Sequence, residues 1–150
     1  MEIINIIDKD NYLTEYIKLC NLEWGKIHTE KELEDYIKNK KDEILNGDKI
    51  ISILGLIDNN TMLGFISLFK YDGDERRDLT PWYATMCVKK EYRGKGYSKI
   101  LNDAILKEAK RLGYYKLYLK SDLVNYYEKF GAIFIEKLNN GENLFYIDLK

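Results

Sequence analysis

Apolar positions recur along this chain with two different periods, and the period changes from one segment to the next. Ile3, Ile4, Ile6 and Ile7 make a short β-type opening, ended by the polar run 8–11. Leu13, Ile17, Cys20 and Trp24 follow at spacings of 4, 3 and 4, which puts them on one helix face with Gly25 as its stop. Thr29 with Glu32 forms an N-cap and its capping-box partner. Leu33, Tyr36, Ile37, Ile44 and Leu45 carry a second amphipathic helix to Asn46 and Gly47. Residues 50–57 are almost continuously apolar, 58–60 are turn residues, and 62–71 are apolar again, a pattern that predicts a β-hairpin. A charged loop at 72–78, the best candidate for a mobile segment, precedes a strand at 82–88. After a glycine-containing loop at 89–96, Tyr97, Ile100, Leu101, Ala104, Ile105 and Leu112 keep helical spacing, and Gly113 ends that helix. A strand at 115–119, a short helix at 122–130 and a last hairpin, 133–136 with 144–149 around Asn139, Asn140 and Gly141, complete the chain.

The predicted order is β-αα-β-β-β-α-β-α-β-β. Strand, helix and strand across 82–119 resemble a βαβ unit, whose two strands run parallel. The hairpins are antiparallel, so the expectation is an α+β fold with a mixed central sheet of about seven strands flanked by about four helices. No internal repeat or low-complexity tract breaks the chain, and its 150 residues read as one domain, 1–150. Hydrophobic residues at 45% and charged residues at 33% are a globular balance. The net charge of −1 is a poor footprint for a general nucleic-acid binder. No apolar run nears the roughly 20 residues a bilayer crossing needs, and the start of the chain carries no secretory h-region. The expected setting is the cytoplasm, with no membrane partner. Cys20 and Cys87 make neither a disulfide framework nor a zinc pattern, and read as small buried side chains.

Candidate chemistry concentrates between Val88 and Lys99. A strand ends, Gly94 and Gly96 let an anion approach backbone N–H groups that a Cβ would shield, and a helix begins. The helix start adds unpaired donors and partial positive charge. Arg93, Lys95 and Lys99 add formal charge. The loop is a candidate site for a phosphate or pyrophosphate. It is not a Walker loop, and Lys99 stands where a dinucleotide fingerprint has its third glycine. Taken as bare glycines and charges, it is equally a tight strand-to-helix turn.

Its context favours the first reading. Arg93-Gly94-Lys95-Gly96-Tyr97-Ser98 resembles the acetyl-CoA loop of GNAT-family N-acetyltransferases, whose signature is Q/R-x-x-G-x-G/A. Downstream, Tyr126-Tyr127-Glu128-Lys129-Phe130-Gly131 resembles the family's Tyr-Glu-Lys-x-Gly-Phe segment, and the element order from Ile3 to Leu149 fits as well. Two positions depart from the pattern. Ser98 replaces a Gly or Ala, and Ala132 replaces the Phe after Gly131, which bears on packing or on the acceptor pocket.

The resemblance implies the GNAT fold and direct acetyl transfer from acetyl-CoA to a primary amine, with coenzyme A supplying the activated acyl group. It puts the diphosphate on the amides of Arg93, Gly94, Lys95, Gly96, Tyr97 and Ser98. It lays the pantetheine arm along the backbone of Met86, Cys87 and Val88, in a splay between the fourth and fifth strands. A backbone N–H near Met86 or Cys87 would meet the thioester oxygen as charge builds there. Tyr127 matches the general acid that protonates the departing thiolate, with Tyr126 as rival. No carboxylate lies on the fourth strand, so Asp72, Asp74, Asp78 and Asp122 are base candidates by location only, beside a water relay. Cys87 as a nucleophile lacks a base, since the sole histidine, His28, is distant in sequence. Trp24, Trp82 and Tyr83 are candidates for the acceptor pocket, although core packing is the commoner fate of such rings, and the loop from Asp72 to Asp78 and the first two helices are expected to shape it. The alternatives are a silent acyl-CoA sensor of the same fold and a nucleotide-phosphate binder. Any oligomer is expected to be a homodimer, the commonest closed arrangement.

Overall fold

The computed structural model describes residues 1–25 and 29–150, without the side chain of Trp24. The chain runs β1 (Glu2–Asn5), α1 (Asp10–Trp24), α2 (Glu30–Asn46), β2 (Ile50–Asp58), β3 (Thr61–Phe69), β4 (Trp82–Val88), α3 (Tyr97–Arg111), β5 (Lys116–Ser121), β6 (Ile133–Lys137) and β7 (Asn143–Asp148). The strands form one mixed sheet in the order β1-β2-β3-β4-β5-β7-β6. Only β4 and β5 run parallel, joined by α3 as the crossover.

Both faces of the sheet are covered, which is why β2 and β3 read as continuous apolar runs rather than alternating ones. Neighbouring residues go to opposite faces. Leu54, Leu56 and Ile66 join Leu101, Ile105 and Ala109 under α3. Ile53, Ile57 and Phe65 join Leu13, Tyr16 and Ile17 under α1. The N-cap of α2 forms: the Thr29 hydroxyl accepts the Glu32 N–H at 3.3 Å.

The described residues contain three α-helices, not about four. The segment expected as a helix at 122–130 closes only a 3₁₀ turn, Tyr127–Phe130. Asn125 sits at φ +60°, and the N–H groups of Leu123 and Asn125 bond to the side chains of Ser121 and Glu128. These local bonds offer the backbone an alternative to the helix ladder. The 72–78 loop is also more tethered than its composition suggests. Arg76 pairs with Asp78 and with Glu136 of β6, and Glu75 accepts the N–H groups of Asn139 and Asn140. The Asp72 carbonyl accepts Lys120 Nζ at 2.8 Å.

The feature that positions the site is an interrupted ladder. β5 pairs with β7 along its whole length, from Lys116 to Ser121. With β4 it shares one register pair, Trp82 with Tyr118, supported by the Tyr118 N–H on the Pro81 carbonyl at 3.0 Å. From there the two parallel strands diverge, so the β4 edge toward Val88 is left without a strand partner on the β5 side.

Candidate active site

The free end of β4 leads straight into the glycine corner. Gly94 and Gly96 stand at φ +81° and +82°, and Gly96 is the N-cap of α3 with no side-chain bond of its own. An L residue in that backbone region costs about 1–2 kcal/mol. A Cβ at either glycine would meet no atom within 4 Å, so conformation requires glycine here and the space outside is open. The first four N–H groups of α3 have no acceptor within the helix. A cavity of about 370 Å³ opens over this corner, with Met86, Cys87, Val88, Arg93, Gly94, Gly96, Tyr97 and Ser98 in its wall, together with Glu23 and Tyr92. Lys95 is exposed and outside that wall, so of the expected cofactor residues it alone is not brought to the cavity. The Arg93 side chain is already engaged. Its Nε donates to the Val88 carbonyl at 2.8 Å and its Nη2 pairs with Glu23 of α1 at 3.1 Å.

A β-bulge divides this corner from a second cavity. Ile66 pairs with Met86 and Ser67 with Ala84, which leaves Thr85 as the extra residue, at φ +34°. The Thr85 hydroxyl donates to Ser67 Oγ at 2.7 Å, and the Tyr16 hydroxyl lies 3.0 Å from the same oxygen. Burial pushes the Tyr16 phenol well above its ordinary pKa, so this hydroxyl cluster is neutral. Thr85 lines a cavity of about 720 Å³ between α1, α2 and the sheet, whereas Met86, the next residue, lines the corner. Consecutive residues of β4 therefore face the two cavities.

Tyr127 is half-buried and packs on the α3-side cluster, as Met86 and Val88 do. Its ring meets Tyr83 edge-on at 5.8 Å and Tyr126 at 4.8 Å, and the Tyr83 hydroxyl is bonded to Asn102. Burial first, and then the nearby Tyr126, raise the Tyr127 pKa, which keeps the phenol protonated at neutral pH. Burial also raises the Cys87 thiol and pushes Cys20 up to about 12, so neither is a ready thiolate. Among the described residues no group of His, Cys, Asp and Glu side chains is arranged to hold a metal ion.

The family model described as "Acetyltransferase (GNAT) family" matches residues 13–132. The chain belongs to the GNAT acetyltransferase family. Its solved structural neighbours agree. The aminoglycoside 6'-acetyltransferase type Ii is 19% identical with a TM-score of 0.72, over 100% of this chain and 98% of that one. The PaiA N-acetyltransferase from Thermoplasma acidophilum, in complex with coenzyme A, is 22% identical with a TM-score of 0.62, over 98% of both chains. An N-acetyltransferase from Staphylococcus aureus Mu50 is 21% identical with a TM-score of 0.69, over 99% of this chain and 98% of that one. At such identities the likeness is one of fold. No curated protein matches the chain.

Within this GNAT fold the aromatic candidates separate. Trp82 is fully buried and Tyr83 nearly so, and both belong to the core rather than to a cavity wall. His28 and the side chain of Trp24 lie outside the described residues. Ala132, where the family pattern has Phe, is buried under α3 with Leu117 and Phe145, so that departure bears on packing. Asp74, Asp78 and Asp122 are exposed, and Arg76 holds the Asp78 carboxyl below its usual range. Asp72 alone of the four carboxylates enters the larger cavity. Sequence reasoning missed the hydroxyl cluster at the floor of that cavity, because Tyr16, Ser67 and Thr85 come from separate segments and share no local spacing.

Proposed function

We propose that this chain, acting as one domain over residues 1–150, transfers an acetyl group from acetyl-CoA directly to the nitrogen of an amine while both are bound. The observation that carries this reading is the unpaired β4 edge running into an uncapped, glycine-formed helix start within one cavity. The corner fits the cofactor. Gly94 and Gly96 put no side-chain atom over the loop and leave the uncapped α3 start beside open space, which suits a diphosphate. Apart from the Val88 carbonyl, which Arg93 holds, the open β4 edge over Met86, Cys87 and Val88 suits the amides of a pantetheine arm, which would add to β4 as a strand does. Acetyl-CoA supplies the activated thioester.

The protein's part is position, polarisation and one proton for the sulfur, while the acceptor ammonium gives up a proton before it attacks, to the Asp72 carboxylate or through water to solvent. A main-chain N–H of Met86 or Cys87 is the oxyanion donor, fixed by the bulge at Thr85. The Tyr127 phenol donates its proton to the leaving sulfur. An ordinary phenol lies near about 10, burial raises this one further, and a thiol lies near about 8.5, so the transfer runs uphill and depends on geometry and on the collapse of the tetrahedral intermediate. The raised Cys87 pKa argues against an acyl-enzyme and for direct transfer. The acceptor enters from the larger cavity on the other side of β4.

Thermal melting with acetyl-CoA, free CoA and ATP tests the reading, followed by thiol release over a panel of primary amines. Stabilisation by both coenzymes and amine-dependent thiol release are expected. Stabilisation by ATP alone refutes the cofactor assignment, and coenzyme binding without thiol release on any amine refutes the catalytic one.

A further inference from the structure

The larger cavity has a charge pattern that narrows its occupant, and the identity of that occupant rests on the acetyl-transfer reading. Three carboxylates line it, Glu43, Asp48 and Asp72. Glu43 is paired with Lys40 at 3.1 Å, and Asp48 with Lys70 at 3.2 Å. The Asp72 side chain has no ion pair among the described residues. The loop that carries it is nevertheless held in place, because Lys120 of β5 donates to the Asp72 main-chain carbonyl. Tyr118 is level with Trp82 in the parallel register, so Lys120 is level with Ala84, one residue before the bulge at Thr85. Asp72 is thus tethered to the far bank of the β4–β5 opening while facing the same cavity as Thr85 on the near bank.

We propose that this cavity receives a primary amine in its protonated form, carried on an apolar body, and that the Asp72 carboxylate is the partner of the ammonium group. The rest of the wall supports the apolar body: Ile17, Ile44, Ile50, Phe69, Tyr36 and Tyr71 all contribute to it. It also disfavours a polycation. Lys40 and Lys49 stand in the same wall, and with Glu43 and Asp48 already paired, only one carboxylate is left for an incoming cation. Asp72 is partly desolvated, and burial raises its pKa against the opposing pull of Lys120 and Lys49. An ammonium ion docking beside it would supply the counter-charge that burial makes favourable.

The test is calorimetric, on the full chain, with three probes. Tryptamine and tryptophol are near-isosteric and differ by an ammonium against a hydroxyl, and spermidine is a polycation without an apolar body. Each is titrated into wild type and Asp72→Asn, both saturated with free CoA and both checked by thermal melting. Wild type is expected to bind tryptamine at least tenfold more tightly than tryptophol and than spermidine. Asp72→Asn is expected to lose at least tenfold for tryptamine, while tryptophol and CoA bind as before. Equal binding of amine and alcohol, tighter binding of spermidine, no binding of tryptamine to wild type, or an unchanged Asp72→Asn each overturns the proposal. Should Asp72→Asn melt early, Lys120→Ala takes its place, expected to weaken tryptamine with Lys120→Arg restoring it; wild-type tryptamine affinity in both variants overturns the proposal. The CoA titration is read first. Failure of CoA to bind refutes the acetyl-transfer reading, whereas CoA binding beside a charge-blind cavity refutes this inference alone.

Discussion

The glycine corner and the large cavity face each other across β4, yet they are built in opposite ways. Apart from Glu23 of α1, the corner is assembled from one stretch of chain, residues 86–98, and its proposed donors are main-chain groups. The cavity is assembled from α1, α2, the turn into β2, the end of β3, the loop after it and a single bulge residue of β4, and its proposed contacts are side chains. A coenzyme common to many reactions calls for a fixed grip, which backbone supplies. An acceptor that differs between relatives calls for a surface that substitutions can reshape without moving the sheet.

Gly96→Trp gives the sharpest break in that comparison. The backbone at φ +82° costs a non-glycine residue about 1–2 kcal/mol, and the new side chain projects into the space the diphosphate would occupy. CoA affinity is expected to fall by at least on the order of 100-fold, about 2.8 kcal/mol, while the melting transition stays cooperative. Unchanged calorimetric affinity would remove the corner from the cofactor site. Tyr127→Phe comes next. Loss of the phenolic proton is expected to lower kcat by about 100-fold, within the range of general acids, and to leave CoA affinity unchanged. If steady-state turnover is unaffected, the sulfur takes its proton from elsewhere.

The same contrast explains what could be read from the sequence. The corner was legible because a backbone site needs particular residues at consecutive positions: Gly94 and Gly96 between a strand and a helix state their conformation directly. The order of the elements was legible too, since apolar period and turn residues are local signals, and the Thr29 cap formed as its spacing predicts. The floor of the cavity was not legible. Tyr16, Ser67 and Thr85 meet only because α1 lies across β3 and β4, and nothing near Thr85 announces a bulge. Asp72 drew notice by location alone, and it took the fold to show that Lys120 tethers its main chain. The helix expected at 122–130 failed for a related reason: side-chain bonds from Ser121 and Glu128 outcompeted a weak helical pattern.

Tyr16→Phe probes the side-chain half of the comparison. It removes a buried hydroxyl bonded to Ser67 and leaves the Thr85 to Ser67 bond in place, so no buried acceptor is stranded. A net loss of about 1 kcal/mol is expected from urea denaturation, with CoA affinity unchanged because the corner does not use this residue. A drop in CoA affinity would mean that the bulge transmits cavity packing to the main chain of Met86, and the two regions would then be one unit.

Glu23→Gln has the smallest expected effect and bears on the one acidic wall residue of the corner among the described residues. Glu23 pairs with Arg93 at 3.1 Å, but the two side chains are 36% and 50% exposed, so their pairing contributes at most about 1 kcal/mol to stability. The amide can still accept from the guanidinium, and Arg93 keeps its bond to the Val88 carbonyl, so the end of β4 stays tied. What changes is charge: a carboxylate beside a proposed diphosphate site opposes the anion and offsets Arg93. Its neutralisation is expected to tighten CoA binding several-fold at low salt, with the gain fading as salt shortens the Debye length to about 3 Å near 1 M. Weaker binding at every salt concentration would show that the ion pair acts by holding α1 against β4, and that geometry outweighs charge at this end of the site.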